Sequence, residues 1–340
     1  VVSERVQRLN QLEAARLYQE RFGDRPVDEV RAEQASGQGK RALITGDRGF
    51  LGRHFKAELR RRGYEVSGLD IKATSAQDCR EFFRWSINRR QGGVAGTPYD
   101  LVVHCAAVVG GRETIERDPL ATAESLSIDA EMFRWAAIAR PGRVLYLSSS
   151  AAYPVSLQSG YSSVSRLHET AVDLTETLLG MPDEIYGWSK VTGELLAAKL
   201  RAAGVPVTVV RPFSGYGTDQ DDTYPFRAIL ERVKRRDDPV QLWCGDCTRD
   251  WIHVDDVVRG ALAVAESGTE QPVNLCTGEP TPFVLLARMM ARAAGYEPAI
   301  HVDPSAPQGV AYRVGDPTRM REFYEPQVNL EEVIRWALDD

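Results

Sequence analysis

From residue 41 onward, apolar residues come in short runs separated by stretches with helical spacing. The runs Arg41–Thr45, Tyr64–Leu69, Asp100–His104, Arg143–Leu147 and Val205–Val210 are bounded by polar or turn residues and read as buried strands. Between most of them, apolar positions recur at the helical period, over Leu51–Arg62, Ala121–Ala139 and Gly187–Ala203. Strand, helix, strand in repetition specifies a parallel sheet covered on both faces, the doubly wound α/β class. After Arg211 the rhythm breaks into shorter elements. A helix is predicted near Phe226–Arg236, a strand ending at His253, and helices near Asp255–Ser267 and Phe283–Gly295. These describe a smaller α/β lobe beside the carboxyl ends of the sheet, with ligands expected in the crevice between the two.

Ahead of the first strand, good helix formers run from Arg5 to Arg21 with a weak stripe of Val6, Leu9, Leu12 and Leu17. Residues 1–36 are therefore expected to form a helical arm, followed by a hinge at Gly37-Gln-Gly39. The expected organisation is an arm (1–36), a first domain (37–211) and a mainly second-lobe segment (212–340). No internal repeat or low-complexity segment interrupts it.

Composition narrows the class. With 340 residues, 43% of them hydrophobic, the chain has enough apolar material for a packed core, which excludes disorder. Acidic residues outnumber basic ones, 48 to 42, so there is no overall basic field for nucleic acid. The most apolar stretch, Leu101–Val109, contains His104 and is far shorter than the roughly 20 residues a membrane-spanning helix needs. Val1–Phe22 is rich in Arg, Glu and Gln and carries no secretory apolar region, so a cytoplasmic protein without a membrane partner is expected. Five cysteines are too few for a disulfide framework and suit a reducing compartment. Cys244-Gly-Asp-Cys247 has metal or redox spacing, but only Cys276 and His253 are near it in sequence. It reads as a tight turn between two short strands, and no metal site is expected.

Gly46-Asp-Arg-Gly49-Phe-Leu-Gly52 follows the first strand and opens a helix, the setting a dinucleotide-binding loop requires. Gly46 permits the tight turn, Gly49 lets backbone approach a pyrophosphate, and Gly52 permits close helix–strand packing. The helix N-terminus adds positive dipole. The second strand ends in Gly68-Leu-Asp70, 18 residues after Gly52, where a carboxylate can accept from both adenosine ribose hydroxyls. It would repel a 2′-phosphate, so NAD is expected over NADP, although Arg48 in the loop pulls the other way.

Tyr186-Gly-Trp-Ser-Lys190 puts a tyrosine and a lysine at i and i+4, one helical turn apart. A free phenol ionises near pH 10, and a neighbouring ammonium favours the phenolate, which suits a general base. Ser148-Ser149-Ser150 ends the strand at 143–147, where a hydroxyl can be presented to the same crevice. His104, inside an apolar strand, reads as a satisfied core histidine. His168-Glu169 lies in a long polar segment from which a side chain could reach a substrate.

Together these features resemble the extended short-chain dehydrogenase/reductases, in particular the nucleotide-sugar epimerase/dehydratase group. The resemblance is carried by Thr45-Gly46-x-x-Gly49-x-x-Gly52, Asp70, Val103-His-Cys-Ala-Ala107, Leu147-Ser-Ser-Ser-Ala-Ala-Tyr-Pro154 and Tyr186-x-x-x-Lys190. Beyond these come Arg211-Pro-Phe213, Arg249-Asp-Trp-Ile-His-Val-Asp-Asp256, Asn274-Leu-Cys-Thr-Gly278 and Arg313-Val-Gly-Asp316. The resemblance implies a Rossmann-like doubly wound sheet with a C-terminal substrate lobe, and a homodimer. It also implies that Gly46, Gly49, Phe50, Leu51, Gly52, Asp70, Ile71, Asp78, Cys79, Ala106 and Ala107 line NAD, together with Tyr186 and Lys190. Counting back four from Tyr153 selects Ser149 as the catalytic hydroxyl beside Tyr186 and Lys190, with Ser150 as the fallback. Arg249 and Arg313 match arginines that hold the substrate's diphosphate, and Ser150 and Ser214 are placed near the sugar.

Three departures from the group's pattern narrow the reaction. Dehydratases of the group carry an Asp-Glu pair after the catalytic hydroxyl, where this chain has Ser150 and Ala151. Enzymes that epimerise C3 or C5 carry a cysteine two before the Tyr-Pro, where Ala151 stands again. Only hydride machinery is left, which implies a nucleotide-sugar 4-epimerase of the UDP-glucose or UDP-glucuronate type. An NDP-sugar dehydratase or a keto-sugar reductase would use the same three groups, and a non-enzymatic dinucleotide sensor is a further alternative. Ser214 stands where many relatives have asparagine, which leaves the sugar open. The long segment from Pro154 to Ile185 is expected to cover it.

Overall fold

A computed structural model describes residues 39–72, 78–88, 99–108, 118–158, 166–176, 179–306 and 309–339. The expected arm, 1–36, lies outside them.

The central sheet has six parallel strands in the order β2-β1-β3-β4-β5-β9: β1 (Arg41–Thr45), β2 (Glu65–Leu69), β3 (Leu101–His104), β4 (Val144–Leu147), β5 (Val207–Pro212) and β9 (Val273–Leu275). Leu101-Val-Val-His104 and Val144-Leu-Tyr-Leu147 are buried at every position, as strands covered on both faces must be. The class expected from sequence is the one observed, with boundaries displaced by at most three residues, the largest shift being the helix start at Glu184 in place of Gly187. The sixth strand, β9, was not expected. It joins β5 through Val210↔Val273.

Contacts gather the chain into two compact units. The first holds the described residues up to Ala107, with Ser125–Tyr146 and Gly193–Thr208. It contains β1, β2 and β3, together with α1 (Phe50–Arg61) and α2 (Cys79–Asn88). α1 buries Gly52, Phe55 and Leu59, one face of the helix, and ends on Arg60 and Arg61, which favour the negative end of its dipole. His104 is the satisfied core histidine expected. One ring nitrogen meets the Thr45 hydroxyl at 2.8 Å, the other meets Asp129 at 3.1 Å, and Asp129 also accepts from the Tyr146 hydroxyl at 2.5 Å.

The second unit holds the described parts of Val108–Glu124, Leu147–Thr192 and Val209–Asp340. Its hub is β8 (Thr248–His253), flanked by β6 (Ser214–Tyr216), β10 (Pro280–Pro282) and β12 (Tyr312–Arg313). α5 (Pro225–Lys234), with proline in its first turn, buries Phe226, Ile229, Leu230 and Val233. They join one apolar cluster with Leu286 and Met290 of α7 (Phe283–Ala293) and Ile334 of α9 (Leu330–Asp339). Between β5 and the C-terminus also lie β7 (Val240–Leu242), paired with β11 (Ile300–Val302), α6 (Val254–Ser267) and the short α8 (Thr318–Arg321). Two further helices, α3 (Pro119–Ala139) and α4 (Glu184–Ala202), run through both units.

The Cys244–Cys247 turn does lie between two short strands, β7 and β8. Within that turn Cys244 and Cys247 form a disulfide, a bond that the reading of the segment as a plain tight turn did not include. No group of His, Cys, Asp and Glu able to hold a metal occurs among the described residues.

Candidate functional site

In the first unit, the strand order reverses between β1 and β3, so the loops leaving their carboxyl ends open a ligand crevice at that switch point. Gly46 occupies it with φ +69°, a conformation open to glycine, and a Cβ there would stand 3.0 Å from the Ala106 backbone nitrogen. A Cβ at Gly52 would stand 1.9 Å from the Gly46 carbonyl oxygen, so α1 begins directly on the loop. The Thr45 hydroxyl accepts from the Ala106 N–H at 3.1 Å, and the β1 and β3 loops are thereby fixed to each other. The donor-rich loop, closed to side chains and open to a ligand, fits a pyrophosphate.

Asp70 ends β2. One of its carboxylate oxygens accepts from the Arg48 N–H at 2.9 Å and the other from the Lys72 N–H at 2.7 Å. The carboxylate, largely buried, therefore shapes the glycine loop. Ile71 beside it is 69% exposed, while Phe50, Leu51 and Ala107 are half-buried. Asp78 and Cys79 start α2. The Arg80 side chain hydrogen-bonds the Asp78 carboxyl and holds its pKa below the usual range, and burial pushes the Cys79 thiol up to about 12. Cys79 is a core residue.

In the second unit, β4 ends in three serines. Ser148 and Ser150 are buried and Ser149 is half-exposed, its hydroxyl accepting from the Ala151 N–H at 3.1 Å. Tyr186 and Lys190 stand one turn apart on α4. The Lys190 ammonium is buried, donates to the Leu147 carbonyl at 2.9 Å and lies 5.7 Å from the Tyr186 ring centre. Gly187 brings this helix onto the serine turn, because a Cβ there would stand 2.4 Å from the Ala151 carbonyl oxygen. Ser149, Tyr186 and Lys190 thus share one small region of packed backbone.

Arg249 and Arg313, 64 residues apart in sequence, are register partners in the parallel β8–β12 pair. Like charges opposite each other are unfavourable unless an anion lies close by, and the Asp183 carboxylate, 2.7 Å from Arg313 Nη2, supplies one. The buried carboxylate of Asp250 sets the register, accepting from the Thr277 N–H and hydroxyl and from the Gly278 and Gly315 N–H groups. Burial pushes its pKa up, against these hydrogen bonds. The Arg249 guanidinium lies 5.3 Å over the Phe283 ring, and Ser214 pairs with Trp251 at the other edge of β8.

Of His168-Glu169, a segment from which sequence allowed reach to a substrate, His168 is exposed and Glu169 is tied inward. Glu169 is buried, accepts from the Asn274 N–H at 2.9 Å and offers its carbonyl to the buried Arg211. Tyr153 belongs to the same network. Its hydroxyl donates to Asn274, and burial raises its pKa. Sequence reasoning missed Gln158 and Asp183, which both hold Arg313. Neither lies in a motif.

The profile of the NAD dependent epimerase/dehydratase family matches residues 42–276. A dTDP-4-dehydro-6-deoxy-D-allose reductase of Streptomyces bikiniensis is 31% identical over 322 residues, covering 88% of this chain and 96% of that protein. Among solved structures, the UDP-glucose 4-epimerase of Thermotoga maritima with UDP-glucose has a TM-score of 0.72 at 24% identity, over 88% of this chain and 97% of that one. The Thermus thermophilus UDP-glucose 4-epimerase with NAD has a TM-score of 0.71 at 24% identity, over 88% and 98%. At that identity the structures speak for the fold alone. No helix among the described residues is long and apolar enough to cross a membrane.

Proposed function

Because the chain belongs to the NAD-dependent epimerase/dehydratase family, we propose that it oxidises and re-reduces C4 of a nucleotide-diphosphate sugar, with net 4-epimerisation of a UDP-glucose or UDP-glucuronate type substrate. The observation that carries this reading is the grouping of Ser149, Tyr186 and Lys190, with Ser150 and Ala151 buried where a proton-transfer pair would stand. NAD is the cofactor, and when bound it supplies the acceptor and donor for the C4 hydrogen.

In this reading Tyr186 takes the proton from the 4-hydroxyl and Ser149 hydrogen-bonds the reacting oxygen. Lys190 keeps a positive charge beside the Tyr186 ring, where negative charge develops. Arg249 and Arg313 hold the diphosphate, which lets a 4-keto sugar turn over between proton transfers. Ser150 and Ser214 serve the sugar. Gly46, Gly49 and Gly52 approach the pyrophosphate, Asp70 takes the ribose, and residues 37–211 and 212–340 serve mainly cofactor and substrate. Exposed Trp188 and Leu195, seven residues apart on α4, support a homodimer, and we place it in the cytoplasm.

The test is incubation in D₂O with UDP-glucose, UDP-glucuronate or UDP-N-acetylglucosamine, with the products identified by NMR. The expected result is a C4 epimer without carbon-bound deuterium and without net NADH. Deuterium at C3 or C5 would refute it. A second reading, one-way reduction of a 4-keto sugar, is favoured by the two Streptomyces reductases at 31% identity. It predicts stoichiometric consumption of reduced cofactor with a dTDP-4-keto sugar and no epimerisation.

A further inference from the structure

Asp183 stands just before α4 and makes three contacts to three different elements. Its N–H donates to the Ala151 carbonyl at 2.9 Å, within the turn capped by the Ser149 hydroxyl. Its own carbonyl accepts from the Gly187 N–H at 2.8 Å, in the first turn of the helix that carries Tyr186 and Lys190. Its carboxylate accepts from Arg313 Nη2 at 2.7 Å, with both side chains only 12% exposed.

Arg313 holds the same turn from the other side. Its Nε donates to the Gln158 side-chain oxygen, and the buried Gln158 amide donates to the carbonyls of Tyr153 at 3.0 Å and Pro154 at 3.2 Å. One guanidinium therefore grips the serine turn through Gln158 and the start of α4 through Asp183. The entry to that helix needs holding, because Glu184 has φ +56°, a left-handed conformation that costs a non-glycine residue about 1–2 kcal/mol. A charge-assisted bond in a mostly buried setting is strong enough to offset it.

We propose that Asp183 is a positioning residue, whose ion pair with Arg313 sets the distance between Ser149 and Tyr186. The proposal rests on the reading of Arg313 as the anchor of the substrate diphosphate. Arg313 then does two things at once: some of its donors meet the anion, and the others fix the spacing of the groups that work on C4.

The test uses the full chain loaded with NAD, as wild type, Asp183→Ala, Asp183→Asn, Arg313→Ala and the double variant Asp183→Ala/Arg313→Ala. Hydrogen exchange of the amides at 184–190 and 149–153, measured without substrate, should speed up about tenfold in Asp183→Ala and in Arg313→Ala. It should speed up no further in the double variant, because the two residues act as a unit. In turnover, Asp183→Ala should lower kcat about tenfold with KM within about threefold, and Asp183→Asn, which keeps an acceptor oxygen, should recover part of the loss. Arg313→Ala should lower kcat similarly and raise KM as well. Additive exchange effects, or an unchanged kcat in Asp183→Ala, would overturn the proposal. Coupled exchange in a protein that turns over no nucleotide sugar would leave the positioning pair standing and remove the proposed function instead.

Discussion

Gly187→Ala probes the seam between the serine turn and α4. The added Cβ would stand 2.4 Å from the Ala151 carbonyl oxygen and 2.8 Å from Pro182 Cβ. Carbon–oxygen contacts settle near about 3.3 Å, so the helix start must retreat by roughly 0.9 Å. Neither neighbour can swing away, since one is backbone and the other a proline ring. That retreat carries Tyr186 away from Ser149, and a misplacement of about 1 Å costs on the order of 10²-fold in rate, or roughly 2.7 kcal/mol of barrier. Overpacking adds about 1–3 kcal/mol of destabilisation, which a folded variant can survive. The assay is kcat by NMR at saturating nucleotide sugar, with a thermal melt and an NAD titration on the same sample. Gly63→Ala is the control, because its Cβ meets nothing within 4 Å and only the positive φ, +82°, is strained. It should lower the melting temperature slightly and leave kcat alone. A cooperatively folded Gly187→Ala protein with kcat within threefold of wild type would refute the reasoning.

Asp70→Ala removes the acceptor of two backbone N–H groups as well as the expected ribose contact, so NAD affinity should fall at least about tenfold and the preference over NADP should narrow, as read by calorimetry. A wild type that prefers NADP would contradict the role given to this carboxylate. Asp129→Ala removes the buried carboxylate that meets one His104 ring nitrogen and the Tyr146 hydroxyl and should cost about 2–5 kcal/mol in denaturant unfolding, whereas a loss under 1 kcal/mol would mean the chain from Thr45 to Tyr146 is not structural. The Arg61 side-chain bond, helped by Arg62 and opposed by burial, lowers the Glu58 pKa to about 2, from an ordinary 4.5. Its stabilisation is therefore full above pH 4.5 and lost as pH falls through 2, so Glu58→Gln should be less stable than wild type at pH 7, with the difference shrinking and the acid-unfolding curve flattening across that window.

The sequence exposed those parts of the fold that carry a period. β3 and β4 are uninterrupted apolar runs because both faces are covered, and α1 shows its buried face at Gly52, Phe55 and Leu59. Three-residue strands have no period to read. β9 is Val273-Asn-Leu275, with a buried asparagine at its centre that looks like a loop until Asn274 is seen bonded to Tyr153 and Glu169. The helix Cys79–Asn88 is absent from the helices expected from sequence, and at its start the structure has Asp78 holding Arg80 and Cys79 buried. At the site, Tyr186 and Lys190 were legible because their spacing is helical. The pairing of Arg249 with Arg313 comes from strand register, and the Asp183–Arg313 ion pair joins residues 130 apart. No local pattern encodes either.

The two-residue β12 is held to β8 by the Asp250 carboxylate, which reaches the Gly315 N–H on the far side of Arg313. On the near side, the Ala311 carbonyl accepts from the Thr248 N–H at 2.8 Å. β12 is thus pinned on both flanks of its two residues, and Arg313 stays beside Arg249 without the help of a longer ladder. In the proposed reading, the grip on the phosphates then rests on fixed backbone rather than on the residues that face the sugar, so a change of sugar need not disturb it.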